Sequence, residues 1–123
     1  MNKFILTFIG ILITQSLLAN GDDKVRCSNP NSDTFQEIST CLTEDYNFYD
    51  KKLNEVYTQR ISTLSAIKKV NLRSSQRQWI KKRNRTCTPL ANESLYGKEG
   101  HFEATMCMTE TTKERIKFLE SYK

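Results

Sequence analysis

From Phe35 to Leu64 the chain carries no glycine or proline. Over the same span Phe35, Ile38, Leu42, Tyr46, Tyr49, Leu53, Val56, Tyr57 and Leu64 return to one side of a helical wheel. A segment with that period and no breaker forms a long helix, and a helix with one apolar side buries it against other elements. Thr34-x-x-Glu37 supplies the start: the threonine oxygen accepts the Glu37 amide while the glutamate reaches back to the cap amide. The spacing predicts a first helix over 34–62, then a turn at Ser62-Thr63-Leu64-Ser65 with Ser65 capping a second helix that runs from 66 to at least Thr88. Pro89 has no amide donor and ends or kinks that helix, and Ala91 to Tyr96 adds one more turn before Gly97. A third helix covers 102–121, with Thr105, Met108, Thr109, Thr112, Ile116 and Leu119 facing inward. Short connections favour antiparallel neighbours. The expected fold is therefore all-α: a small antiparallel three-helix bundle over 34–123, preceded by a turn-rich N-terminal arm, 20–33. If the first two helices reverse near residue 64, Asp45 falls level with Arg83, and Cys41 with Cys87.

The second helix has two faces. Leu72, Gln76, Trp79, Ile80, Arg83 and Cys87 make a core stripe with polar members. Arg73, Arg77, Lys81 and Arg85 follow one another at i, i+4 on the other side, led by Lys69. Lys68 to Cys87 holds eight Lys or Arg residues, no acid and the only tryptophan. Trp79 reads as core. Arg83 lies on the same face, so its charge needs a partner, which Asp45 or Asp50 can supply; Gln76, Asn54 and Tyr57 read as internal hydrogen-bonding groups.

Before all this, Lys3 is followed by an apolar run, FILTFIGILITQSLLA, that ends in small and polar residues. That is the order of a secretory signal peptide, 1–19, with cleavage after Ala19 or, as second choice, Gly21. Losing Lys3 with it lowers the formal charge of +5 by one, to about +4. No cysteine follows the apolar run directly, which argues against a lipid anchor, and no membrane-spanning segment is expected after cleavage. An exported chain with an even number of cysteines, Cys27, Cys41, Cys87 and Cys107, reads as two disulfides in an oxidising compartment, periplasmic or secreted. The spacing does not choose among the three pairings. No CxxC pair is present and His101 is the single histidine, so no metal site is expected.

Several segments together resemble the LprI-type lysozyme inhibitor N-terminal domain family, formerly a domain of unknown function. They are Cys27, Thr34 to Glu37, Cys41, Asp50-x-x-Leu53-Asn54-x-x-Tyr57 and Leu72-Arg73-x-x-Gln76-Arg77-x-Trp79-Ile80-x-x-Arg83-Asn84, followed by Cys87, Cys107, Thr112, Arg115 and Leu119. The resemblance implies a small helical exported bacterial protein, and at least one family member inhibits lysozyme. The chain departs from the family's common pattern at Asn84, where many members carry Asp, and at Pro89, and it lacks the lipobox of the lipoprotein members.

Catalysis has little support in these residues: no Ser-His-Asp or Cys-His set, no Gly-rich phosphate loop and no recognisable acid and base carboxylates. No cofactor is expected either. The leading expectation is a non-catalytic protein that blocks a lysozyme or muramidase by occluding its glycan cleft. The binding residues would be Lys69, Arg73, Arg77, Lys81 and Arg85. The alternative is an envelope protein whose cationic face meets a polyanion, such as an anionic envelope component, or an acidic protein such as a toxin. Nucleic acid is a poor fit, since an exported protein rarely meets it and no aromatic residues interleave with the row. The plainest reading is an ordinary solvated face.

Overall fold

The computed structural model describes residues 26–123; the expected signal peptide and the first residues of the expected arm lie outside them. Four α-helices follow one another: α1 (Phe35–Ser62), α2 (Ala66–Cys87), α3 (Glu93–Tyr96) and α4 (Gly100–Ser121), with a 3-10 turn, Thr88–Ala91, between α2 and α3. The three long helices form the expected all-α bundle.

The helix ends follow from local chemistry. Thr34 caps α1 by accepting the Glu37 amide at 3.3 Å. The reciprocal half of the box differs from expectation. The Glu37 carboxylate accepts from the Thr34 hydroxyl at 2.6 Å, the Asn29 amide at 3.2 Å and the Ser32 hydroxyl, while the Thr34 amide turns to Ser32 Oγ at 3.4 Å. Ser65 occupies the cap position of α2, but its side chain makes no capping hydrogen bond there. Pro89 ends α2 as expected and sits in the first turn of the 3-10 segment, where its missing amide costs nothing. The third long helix starts two residues earlier than 102. Gly97 turns the chain at φ 69°, and at Gly100 a Cβ would lie 2.3 Å from the Leu90 carbonyl oxygen, so only glycine lets α4 start against the 3-10 turn.

Helix order is what the sequence left open. α1 and α4 run parallel: Phe35 stacks on Phe102 at one end, and at the other Arg60 donates to the Leu119 and Glu120 carbonyls at 2.9 and 2.6 Å. α4 carries most of the packing on α1 and also packs on α2, whereas α1 and α2 meet only sparsely. α1 and α2 are neighbours through side chains, Arg83 reaching Asp50 and Leu72 joining the α1 residues of the core, while their backbones stand farther apart than those of α1 and α4. Tyr49 and Leu53 of α1, Leu72 of α2, and Ile116 and Leu119 of α4 form the buried core. Thr109 and Thr112 are buried with them.

The disulfides pair Cys27 with Cys41 and Cys87 with Cys107. The first fastens the arm to α1, and the second joins the end of α2 to α4. By loop length each contributes about 3 kcal/mol through restriction of the unfolded chain. The arm is held further by Glu44, which accepts from Ser28 N and Oγ at 2.8 and 3.0 Å, and by Arg26, whose guanidinium lies 3.8 Å from the Phe48 ring centre.

Two outcomes follow. Leu119 is fully buried where α4 meets both partners, so Leu119→Ala is expected to lower stability by about 2–5 kcal/mol in urea titrations. The three hydrogen bonds to Glu37, Ser32 first, hold its carboxyl below the ordinary range. A lowered carboxyl stabilises the fold above its unfolded-state value, and that help is lost as pH falls through the folded one. The stability gap between the native chain and Glu37→Gln should thus be present at neutral pH and vanish in acid.

Candidate functional site

α2 has few apolar residues to offer the bundle. Among its buried positions Leu72 is the single aliphatic one; Gln76, Arg83 and Cys87 are the others. Polar chemistry therefore holds the upper part of the helix. Arg83 reaches α1 and α4 together: Nη1 lies 3.5 Å from Asp50 Oδ1 and donates to Thr112 Oγ1 at 3.2 Å, and Nε donates to Asn84 Oδ1 at 3.2 Å. The expected structural ion pair exists, with Asp50 as its acid. Asp45 does not face Arg83: it is buried lower on the arm side, where Oδ1 accepts the Arg26 amide at 3.0 Å. Tyr46 adds a hydroxyl bond to Asp50 at 3.4 Å, and burial, the largest influence on that phenol, raises its pKa.

A second guanidinium was missed as a site residue. Arg115 of α4 is buried, donating through Nε to Gln76 Oε1 and through Nη2 to Ser75 Oγ, both at 2.9 Å. Among the described residues it forms no ion pair, and burial lowers its pKa. Trp79 compensates: Arg83 and Arg115 lie 4.9 and 5.6 Å from its ring centre, and Arg115 also sits 4.2 Å over Phe118. Trp79 is thus half-buried core, and also the shared face of two cations. Position alone could have flagged Arg115, three residues after Thr112 and four before Leu119 on the inward face of α4.

The cationic row is sorted by the same packing. Arg73, Arg77, Lys81 and Arg85 are exposed and Lys69 is half-buried. Among the described residues none of the five takes part in an ion pair. Arg73 and Arg77 border a groove of about 510 Å³ between α1 and α2. Asp50, Leu53, Asn54 and Tyr57 line it from α1; Arg73, Gln76, Arg77, Ile80 and Arg83 line it from α2. Ile80, expected in the core, is 38% exposed because it belongs to this groove. A wider depression on the outer side of α1, with Lys51 and Glu55, mixes both charge signs and gathers no set of one kind. Among the described residues, no three His, Cys, Asp or Glu side chains gather as metal ligands, and no helix is long and apolar enough to cross a membrane.

A disulfide-stapled helical bundle with a cationic face on its middle helix is the class of protein that this geometry defines. The chain belongs to the family described as lysozyme inhibitor LprI, whose profile matches residues 27–119, a span that runs from the first disulfide cysteine to the last core leucine. It is also similar to the uncharacterized protein YecT of Escherichia coli strain K12, 25% identical over 149 residues that cover all of this chain and 92% of that protein. No solved structure matches it.

Thr112 is fully buried and donates to the Met108 carbonyl at 2.7 Å while accepting from Arg83. Thr112→Val keeps the shape and removes the acceptor. It should cost about 1–3 kcal/mol in chemical denaturation, because the Arg83 N–H is left without that bond.

Proposed function

We propose that this protein is an exported, non-catalytic inhibitor of a lysozyme or muramidase, and that it acts by covering the enzyme's glycan cleft with the cationic face of α2. The family match over residues 27–119 carries this reading. The chemistry supports it. A glycan-cleaving cleft of this kind holds two carboxyl groups with room for a sugar, and Arg73, Arg77, Lys81 and Arg85 are exposed guanidinium and ammonium groups with no acid of this chain engaging them in an ion pair among the described residues. The helix that presents them is held by a disulfide, two buried guanidiniums and Leu72, so the donors project from a rigid support, which limits the ordering cost of docking. Net positive charge gives no long-range steering toward a basic lysozyme. Short-range contacts must therefore supply the affinity, and an acidic or neutral lysozyme is the better target.

Two disulfides support a working compartment outside the cytoplasm, in the periplasm or beyond the cell. A polyanion along the row is the second reading, favoured by the same lack of neutralising acids.

Lytic assays with several lysozyme classes, using the oxidised chain from Asn20 onward, test the proposal. Inhibition of at least one class at micromolar protein is expected, weakened by roughly tenfold or more when Arg73, Arg77 and Lys81 are changed to Glu. Absence of inhibition in every class overturns it.

A further inference from the structure

We infer that the groove between α1 and α2 is a binding site for an acidic side chain carried on an extended segment of a protein partner. This inference does not depend on lysozyme inhibition and concerns a concave surface that shares Arg73 and Arg77 with the exposed row. The groove lies where the backbones of α1 and α2 stand apart and Arg83 bridges them through Asp50. Its polar equipment is almost entirely donors. Arg73 and Arg77 stand on one wall with no ion-pair partner among the described residues, and Arg83 lies between the walls.

Gln76 is oriented by its neighbour. A guanidinium has no acceptor, so the bond from Arg115 requires the Gln76 oxygen and leaves the amide –NH2 as the group this side chain has left to offer. Asp50 is the one carboxylate in the lining, and it is engaged by Arg83 and Tyr46. Three guanidiniums in the lining and a fourth directly behind Gln76 thus face one occupied acid. A planar carboxylate is the anion that such forks grip best, through paired charge-assisted hydrogen bonds.

The remaining lining selects a peptide over a simple anion. Leu53 and Ile80 give apolar surface beside the arginines. Asn54 donates its amide to the Asp50 carbonyl at 3.0 Å, which leaves its own oxygen to accept a main-chain N–H. Asp50 to Tyr57 spans about 10 Å of helix and Arg73 to Arg83 about 15 Å. That is the reach of three or four extended residues at about 3.3 Å each. An acidic residue flanked by an aliphatic one fits these dimensions and this chemistry.

The test uses the oxidised chain, calorimetry and the fluorescence of Trp79, the only tryptophan, whose ring centre lies 4.9 Å from the guanidinium of the groove-lining Arg83. The probes are a short capped peptide alternating Glu with Leu, its Gln-for-Glu counterpart, inorganic phosphate, and vesicles of anionic lipid. The Glu peptide is expected to bind at least roughly tenfold tighter than the Gln peptide, and less tightly as salt rises. Arg73→Gln with Arg77→Gln, both exposed and so compatible with folding, should weaken it by roughly tenfold or more. Lys117→Gln with Lys123→Gln removes the same charge elsewhere and should leave binding within about twofold. Equal binding of the two peptides overturns the inference. So does phosphate or vesicle binding as tight as that of the Glu peptide, or an equal loss in the Lys117 and Lys123 variant. Lysozyme enters none of these measurements, so their failure and failure of inhibition are separate results.

Discussion

Two buried guanidiniums beside the Trp79 ring hold this bundle in its arrangement. Arg83 extends from α2 to Asp50 on α1 and Thr112 on α4, and Arg115 extends from α4 to Gln76 and Ser75 on α2. Burying charge is costly unless hydrogen bonds and an opposing field return most of the loss. Here the return is shared: one acid for the pair, neutral oxygens for the rest, and the indole ring beside them. The reason for so polar a junction is composition. α2 contributes one fully buried aliphatic side chain, Leu72, to a core otherwise supplied by α1 and α4. Directional bonds and the Cys87–Cys107 disulfide do for α2 what an apolar stripe does for an ordinary bundle helix.

That junction also shapes the surface. α4 packs closely along α1, while the backbones of α1 and α2 stand apart and leave a groove between them. The polar groups that fasten α2 line the opening or lie just behind it, so structural and recognition chemistry share side chains. Arg83 is bound on three sides yet still borders the groove, and Gln76 is held by Arg115 with its amide hydrogens remaining. A site built this way needs little reordering to accept an anion.

Much of this was legible in local chemistry. Thr34 as a cap, Pro89 as a stop, and the burial of Leu72, Gln76 and Arg83 at helical spacing all depend on neighbours within a turn or two. Other features depended on residues far apart in the chain. Asp45 and Asp50 stand about 140° apart around α1, and only the rotation and shift of the helices against each other decide that Asp50 meets Arg83 while Asp45 meets the arm. Ile80 belongs by periodicity to the core stripe, yet 38% of it is exposed because no helix covers that edge of α2. Arg115 matched the family pattern, but that its guanidinium lies 5.6 Å from the Trp79 ring centre depends on how α4 meets α2.

The amino-acid sequence by itself determined an all-helical chain, the bounds of its long helices to within two residues, and the separation of α2 into a bonded face and a cationic face. These are consequences of helical period, caps and breakers, which act over a few residues. Only the tertiary structure decided the parallel pairing of α1 with α4, the disulfide map, the choice of Asp50, and the place of Arg73 and Arg77 beside a groove. Those depend on how one helix is rotated and shifted against another. Packing of whole faces sets that geometry, and no single stretch of the chain encodes it.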